Sequence, residues 1–376
     1  MVAQTLAVYI MLGGVFVSLC RYYTHFPKGR HNYLLWALVV FSIVFGIRYG
    51  VGVDYMGYKD AYEYELNWGK TDDTHMETGF KFIMRTCSAL GLHYAFFFGV
   101  VAFMQVYFLF KGLRRDIDVL SYMAYTFMAS CSWLEYSNGM RQELAFCIFV
   151  YSLPFIQDRK WIAYYLCNLL AILMHTSAVL LLICYPLFAY KQEWFRNVKL
   201  QLLLLSASLL LLNYNAVFDI VSLIDIYIAM TPYASYVDMT SERILEKLST
   251  DTSLGIGFVI ATIIIFIQVC YSNKVKRYFN SRCLSIAYDM FFVGVLWRHI
   301  FVGSQIFQRV NYYLYGFSFI IGAYTLAYMY VKSRKMFCIL TLFYFLIFVG
   351  YMSNVHNNDS MFYFFWQKEQ YVPPVK

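Results

Sequence analysis

Long apolar segments recur along the chain and alternate with short polar ones. The apolar runs are about 15 to 21 residues long, which suits helical spans, and they lack the residue-by-residue alternation of an outer-membrane β-barrel. The pattern predicts an all-α polytopic integral membrane protein with about 12 transmembrane helices (11–13). The predicted spans are residues 5–20, 33–49, 93–110, 118–135, 140–157, 161–174, 176–190, 198–213, 254–271, 283–302, 310–330 and 336–352.

The apolar stretch 161–190 fits two interpretations. It is either one long tilted helix or two short helices broken near His175. A single span would place the basic loop 191–199 outside and would invert every later loop. Two helices of 14 and 15 residues preserve the alternation of loops. Because such helices are short for full crossings, the sequence favours a broken hairpin.

Composition supports the membrane class. The chain is 61% hydrophobic and 14% charged, whereas a soluble domain has roughly 25% charged residues. Its nine cysteines fall mostly inside apolar stretches, and no CxxC pair occurs, so neither a disulfide framework nor a zinc site is indicated. The first apolar stretch, 5–20, is followed and not preceded by basic residues. We therefore interpret it as a retained span and not as a signal peptide.

Lysines and arginines are concentrated in alternate loops. Eighteen of the 30 lie in six such loops, so the positive-inside rule predicts that these loops are cytoplasmic and that both termini are outside. The formal charge of +8 is spread over these short loops, so no nucleic-acid partner is indicated. The six basic loops are residues 21–30, 111–115, 159–160, 191–199, 274–282 and 332–335.

Two of the predicted extracytoplasmic loops are long. Loop 50–79 carries seven carboxylates against two lysines. Loop 214–253 contains an amphipathic stretch that could lie along the outer leaflet or cover a cavity. A short extracytoplasmic tail, 353–376, ends the chain. Because no internal repeat and no soluble segment is evident, residues 1–376 are predicted to form a single transmembrane domain.

Four arginines occur where the positive-inside rule does not place them, at the outer ends of spans. An arginine inside a bilayer costs at least a few kcal/mol, and its planar fork binds phosphate oxygens bidentately. We therefore hypothesise that these residues form a receptor for pyrophosphate. They are Arg48, Arg141, Arg298 and Arg309.

The competing interpretation of these arginines is pairing within the protein. Arg48 could pair with Asp54, and Arg141 with Glu135 or Glu143. The sequence offers no nearby carboxylate for the other two arginines.

Three residues are candidates for acid–base chemistry. His175 lies at the predicted outer turn of the hairpin, where it could act as a general base or donate to a carbonyl freed by the helix break. Glu77 and Asp54 are further candidates, although carboxylates in an acidic loop are usually only solvated. Walker, HExxH and GxSxG motifs are missing from the sequence, so nucleotide hydrolysis, zinc proteolysis and serine hydrolysis have no support. No metal ion and no cofactor is predicted.

The same residues lie in segments that resemble a known family, the EpsG-type, Wzy-like polymerases of bacterial exopolysaccharide and O-antigen pathways. The segments are short and are spread over most of the chain in the order expected for that family. They are GIRYGVGVDYMGY (46–58), METGFKFI (76–83), NGMRQELAF (138–146), MHTSA (174–178) and QRVNYYL (308–314).

This resemblance implies a reaction and a location. Such proteins join oligosaccharide repeat units carried on undecaprenyl pyrophosphate at the outer face of the bacterial cytoplasmic (inner) membrane, and a GT-C-like architecture is implied. Arginines would stabilise the pyrophosphate leaving group without a metal. A base, with His175 ahead of Glu77 and Asp54, would assist the attacking hydroxyl. Whether a chain-length regulator also binds is left open.

Two other functions fit the same features. A flippase for lipid-linked oligosaccharide would also need cations for pyrophosphate, but its polar residues should line a path through both leaflets. An O-antigen-ligase-like transferase or an acyltransferase could act at the same face, and the ligase would differ only in its acceptor. The clustering of unexplained charge at one face favours an enzyme over a flippase.

Overall fold

The structure, a computed structural model, describes residues 1–26, 30–69, 76–190, 193–211, 255–301, 305–355 and 360–371. Helices dominate it, and the strands assigned in the described residues have only two residues each. This confirms the predicted all-α polytopic membrane class. Loop 214–253 lies outside the described residues.

The chain forms two compact units. Unit 1 comprises Met1–Tyr190 and Leu326–Lys376, and unit 2 comprises Lys191–Thr325. The single transmembrane domain expected from the sequence stays a prediction. The helices, in chain order, are α1 (Val2–His25), α2 (Arg30–Ile47), α3 (Tyr55–Trp68), α4 (Thr78–Ala89), α5 (Tyr94–Gly112), α6 (Leu120–Ala129), α7 (Ser132–Asn138), α8 (Met140–Gln157), α9 (Trp161–Met174), α10 (Cys184–Tyr190), α11 (Val198–Leu211), α12 (Ile256–Phe279), α13 (Arg282–Ile300), α14 (Gln305–Tyr315), α15 (Ser318–Lys332) and α16 (Arg334–Ser353).

Apolar helices occupy most of the predicted spans. Within the described residues six helices are long and apolar enough to cross a membrane, and four shorter apolar helices accompany them. Together they coincide with all predicted spans except 118–135 and 140–157. The six are Val2–His25, Tyr94–Gly112, Ile256–Phe279, Arg282–Ile300, Arg334–Ser353 and Phe307–Lys332, the last of which comprises most of α14 together with α15.

Predicted span 118–135 is not one helix. It breaks between α6 and α7 at Cys131, whose φ of 58° is left-handed. Polar side chains supply bonds that the helix loses there: the Ser132 backbone N–H donates to the Ser130 hydroxyl at 3.4 Å, and Trp133 Nε1 donates to the Met128 carbonyl at 3.0 Å. A hydropathy pattern misses such a break because the local side chains themselves satisfy the freed backbone groups.

Helix α8 matches the predicted span 140–157 and lies in the core of unit 1. It packs between α5 and α9. Gly112 of α5 allows this close approach, because a side chain there would collide with the backbone of Val150. Polar side chains on α8, such as Gln142 and Ser152, are buried within the unit.

The hairpin interpretation of residues 161–190 is confirmed. Helix α9 ends at Met174, His175 is extended with φ of −154°, and a 3-10 helix, Thr176–Ile183, leads into α10. The Tyr164 hydroxyl donates to the Leu181 carbonyl at 2.5 Å, and the rings of Tyr164 and Tyr185 are 5.3 Å apart. In one continuous helix residues 164 and 185 would be separated by about 30 Å.

The C-terminal segment (residues 360–371), predicted as part of a short tail, packs against the rest of unit 1. Strand β1 (Arg48–Tyr49) pairs antiparallel with strand β2 (Tyr363–Phe364). The Tyr9 hydroxyl donates to the Ser360 carbonyl at 2.8 Å, so the segment also packs on α1. One end of unit 1 therefore contains the start of α1, the end of α2 and the C-terminal segment. The alternation of basic loops along the sequence predicts this arrangement.

Basic loops meet at the other end of unit 1. Arg115 Nη2 lies 2.6 Å from Asp158 Oδ2, which joins loop 111–115 to loop 159–160. In unit 2, Asn273 Nδ2 donates to the Arg196 carbonyl at 2.9 Å, which joins loops 191–199 and 274–282. Within each unit, loops that the charge pattern assigns to one side of the membrane therefore lie together.

Candidate functional site

The acidic loop 50–79 folds into α3 and leads into the first turn of α4. Glu77 is the residue that precedes α4, with an extended backbone. Its side chain does not cap its own helix and is directed towards two other elements, the start of α8 and the turn of the α9 hairpin. A carboxylate at a helix N-terminus is favoured by the helix dipole, which helps to keep it ionised.

Glu77 bridges two of the predicted functional residues. Its Oε2 lies 2.5 Å from Arg141 Nη1, and its Oε1 lies 2.8 Å from His175 Nδ1. The Thr176 backbone N–H donates to the same Oε1 at 3.0 Å. Arg141 Nε donates to the Tyr58 hydroxyl at 3.4 Å. These five residues are named the Glu77 cluster below.

Local packing brings the Glu77 cluster together. Gly79, in the first turn of α4, lies against the end of α9, where an added Cβ would meet the Leu173 carbonyl at 2.8 Å. The missing side chain lets α4 approach the turn that carries His175. Arg141 is the second residue of α8, so it projects from the same end of unit 1.

Glu77 is held as a carboxylate. Burial raises its pKa, but the hydrogen bond from His175 and the charge of Arg141 outweigh burial and lower the pKa to about 2. Such a weak base is a poor acceptor for a hydroxyl proton near neutral pH. Glu77 is instead suited to orienting its partners.

His175 has the better geometry for a base. The carboxylate of Glu77 can only accept, so it holds the proton of His175 on Nδ1 and leaves the lone pair on Nε2. Among the described residues no group forms a hydrogen bond with Nε2. The ring is partly exposed, with 14% of the side-chain surface accessible.

Asp54 lies close to this region at the start of α3. Its backbone N–H donates to the Asn138 side chain at 3.0 Å, and its carboxylate is exposed. The charge of Asp54 acts on Tyr58, a member of the Glu77 cluster. The structure therefore places it as a neighbour of the cluster.

Arg48 has a different environment from the predicted one. The side chain is buried, and its guanidinium donates to the carbonyls of Phe45 and, at 3.1 Å, Ser137. It also lies over the rings of Tyr55 and Phe98. The guanidinium donates neither to Asp54 nor to groups at the surface. Arg48 therefore joins the end of α2 to α7 and does not face a ligand site.

Arg48→Ala is expected to lower the thermal stability of the protein. Removing the guanidinium leaves buried carbonyls without donors, and each hydrogen bond to a charged group contributes about 1.5–3 kcal/mol. A thermal denaturation series in detergent measures the effect. Arg159→Ala, at an exposed site, is the control and should leave the transition temperature unchanged. An unaltered transition in Arg48→Ala would contradict the structural role.

Arg298 and Arg309 lie in unit 2 on the antiparallel pair α13 and α14. Both are exposed. The guanidinium carbon of Arg298 is 4.9 Å from the centre of the Tyr315 ring, and no carboxylate of the described residues forms an ion pair with it. Arg298 therefore has no carboxylate close to it in the sequence and no carboxylate ion-pair partner among the described residues.

Sequence reasoning missed three features of the cluster. Neither Tyr58 nor Thr176 was selected, although both lie inside the segments that carry the family resemblance. The partner of Arg141 was sought in Glu135 and Glu143, whereas the structure pairs it with a carboxylate 64 residues away. The resemblance segments 76–83 and 138–146 were the available signal for this pairing.

Comparison with known proteins identifies one family. The model of the EpsG family matches residues 31–367, which include every member of the Glu77 cluster. No curated protein and no solved structure matches the chain.

Proposed function

The chain belongs to the EpsG family of Wzy-like polysaccharide polymerases, and from that premise we propose that it is a membrane glycosyltransferase. It joins oligosaccharide repeat units linked to undecaprenyl pyrophosphate at the outer face of the bacterial cytoplasmic membrane. The observation that carries the proposal is the Glu77 cluster, in which a carboxylate orients a histidine beside an arginine. An oriented base next to a fixed cation is what glycosyl transfer from a charged leaving group requires.

The proposed step is a substitution at the anomeric carbon. A hydroxyl oxygen of one lipid-linked unit attacks the anomeric carbon of the growing chain, and the bond from that carbon to the pyrophosphate oxygen breaks. The electron pair leaves with undecaprenyl pyrophosphate. His175 Nε2 takes the hydroxyl proton, and Glu77 stabilises the resulting imidazolium through Nδ1. The arrangement follows the logic of a carboxylate-oriented histidine base.

Arginines neutralise the pyrophosphate. Arg141 is already fixed by Glu77 and Tyr58, so little reorganisation is needed when charge develops. Exposed Arg298 and Arg309 are proposed as further pyrophosphate ligands, because a guanidinium fork suits bidentate contacts with phosphate oxygens. Arg48 is left out of this set because it is buried and its Nη1 and Nη2 donate to carbonyls of the protein.

An in vitro reaction tests the function and these arginines. Purified protein given a synthetic undecaprenyl-pyrophosphate oligosaccharide should produce a ladder of longer chains on a gel. Arg298→Ala and Arg309→Ala should each shorten the ladder and lower the rate by at least about tenfold, which is ~1.4 kcal/mol of lost transition-state binding. Arg277→Ala, in a basic loop at the other end of unit 2, is the control.

The other outcomes of this reaction are informative. A flippase would produce no ladder, and a ligase-like transferase would add one unit to a separate acceptor without repeats. An unchanged ladder in both arginine variants would overturn their pyrophosphate role. A wild-type protein that forms no ladder with a donor it binds would overturn the polymerase proposal.

A further inference from the structure

A cleft of about 540 Å³ opens beneath the C-terminal segment of unit 1. Residues of α3, of the start of α5 and of the 3-10 helix Phe365–Gln370 line it. The volume lies in the range of small-molecule sites. Neither the proposed reaction nor the predicted site residues use this cleft. The lining side chains that matter below are Lys59, Glu63, His93, Tyr94, Trp366 and Lys368.

One wall of the cleft is a flat aromatic surface. Trp366 is 59% exposed although it is a large apolar side chain. Its ring is stacked on that of Phe364, with centroids 4.5 Å apart and an angle of 6° between planes. Phe365 packs against the His93 ring at 4.9 Å. The C–H face of a pyranose ring packs well on a broad aromatic face of this kind.

The lining of the cleft also carries both hydrogen-bond donors and an acceptor. Lys59 Nζ lies 2.7 Å from Glu63 Oε2, so an ammonium and a carboxylate lie side by side. Lys368 is exposed on the C-terminal segment. A hydroxyl group both donates and accepts, and it can therefore bond to each member of such a pair.

His93 adds a further donor. Its Nδ1 accepts a hydrogen bond from the Ala95 backbone N–H at 3.2 Å, which places the proton of the neutral ring on Nε2. Burial lowers the pKa of His93, so the neutral form is favoured near pH 7. Among the described residues no acceptor forms a hydrogen bond with Nε2.

We propose that this cleft is a saccharide-binding subsite, in which a sugar ring stacks on Trp366 and its hydroxyls bond to Lys59, Glu63, His93 and Lys368. A polyhydroxylated ligand can use all of these groups, because its hydroxyls donate to the Glu63 carboxylate and accept from the lysines, whereas an anionic lipid headgroup would use the lysines alone. The inference rests on the proposed function in one respect: the saccharide is a segment of the substrate or product of that reaction.

The subsite adjoins the Glu77 cluster. Tyr58, which contacts Arg141, and Lys59, which lines the cleft, are consecutive residues of α3. They diverge by about 100° around the helix, so the two regions lie on adjoining faces of the same turn of α3. A sugar in the cleft would thus hold the saccharide chain a short distance from the reacting hydroxyl.

Binding measured by calorimetry tests the subsite directly. The probe is a set of oligosaccharides prepared by partial acid hydrolysis of the surface polysaccharide of the source cells, titrated into the full chain in lipid nanodiscs. Trp366→Ala should raise the Kd about tenfold, which corresponds to ~1.4 kcal/mol. Trp68→Ala, the matched control, removes another exposed tryptophan of unit 1 outside the cleft and should leave the Kd unchanged.

Further variants keep the outcome decisive. If Trp366→Ala unfolds, Lys368→Gln replaces a side chain on the exposed surface of the same segment and should raise the Kd about threefold. Wild-type affinity in both folded variants, or no binding to the wild-type chain at millimolar oligosaccharide, would overturn the subsite. The first result would indicate that Trp366 anchors the protein at the membrane interface instead.

The reaction and the subsite fail separately. His175→Asn should retain oligosaccharide binding while losing the ladder, because the histidine does not line the cleft. Oligosaccharide binding that depends on Trp366 in a protein that forms no ladder would leave the subsite standing and reject the polymerase. A normal ladder together with unaltered binding by Trp366→Ala would reject the subsite and leave the polymerase proposal standing.

Discussion

Replacing His175 with asparagine should reduce polymerisation by ~10²–10⁴-fold, the usual contribution of a positioned general base. Asparagine can still donate a hydrogen bond to Glu77, so the turn between α9 and the 3-10 helix should persist. What it lacks is a basic lone pair in place of Nε2. The initial rate of ladder formation from a synthetic lipid-linked donor measures the loss.

Two comparisons make the His175 result specific. His25→Asn changes an exposed histidine at the end of α1 that takes no part in the Glu77 cluster, and it should retain the wild-type rate. The thermal transition of His175→Asn should stay close to that of the wild type. A full rate in His175→Asn would show that the residue only completes the helix break.

The pH dependence should show that Glu77 does not act as the base. Because the pKa of Glu77 is lowered to about 2, this carboxylate stays ionised throughout the range in which polymerisation can be assayed. Protonation of Glu77 should therefore not limit the rate between pH 7 and pH 5. Glu77→Gln should lower the rate at all pH values, because an amide cannot stabilise the imidazolium by charge.

Replacing Arg141 with alanine should lower the rate by ~10²–10³-fold, as expected when a preorganised donor to a developing negative charge is removed. The change also leaves Glu77, whose side chain is only 13% exposed, without a partner at Oε2 among the described residues, while His175 and Thr176 still contact Oε1. Arg141→Lys should restore little of the rate, because an ammonium cannot reproduce a fork that contacts both Glu77 and Tyr58.

The matched control for Arg141 is another arginine–glutamate pair in unit 1. Arg85 Nε lies 3.4 Å from Glu65 Oε1, and the arginine side chain is 49% exposed. Glu65 is buried, with 6% of its side chain exposed, so losing Arg85 also removes the cation from a buried carboxylate, but the pair lies outside the Glu77 cluster. Arg85→Ala should therefore leave the rate close to wild type. Equal losses of rate in Arg85→Ala and Arg141→Ala would show that both come from lower stability, and that Arg141 has no specific role in the reaction.

The hydrophobic pattern predicted the spans well where the backbone hydrogen bonds of a span are formed within one helix. The bounds of α8 and α9 coincide with predicted spans, because a run of apolar residues satisfies its backbone internally in apolar surroundings, and α8 continues past Pro154 to its predicted end. The same rule failed at Cys131, where the Ser130 hydroxyl and the indole of Trp133 provide alternative partners for the backbone. Hydropathy does not record such partners.

The candidate site was predictable in its members and not in its pairings. His175 could be selected because a polar residue at a break in an apolar stretch is a local property. The partner of Arg141 could not, because it depends on how closely α4 approaches α9 at Gly79. Arg48 shows the same limit, since the carbonyls of Phe45 and Ser137 that receive its donors meet only in the fold.

By itself the sequence determined the membrane class, the alternation of basic loops, the break at His175 and the family resemblance. These follow from composition and from order along the chain, which folding does not alter. The tertiary structure alone decided that Glu77 bridges Arg141 and His175, that Arg48 is buried, and that the C-terminal segment pairs with Arg48–Tyr49. Each of these depends on contacts between residues distant in sequence, which helix packing selects and local pattern does not encode.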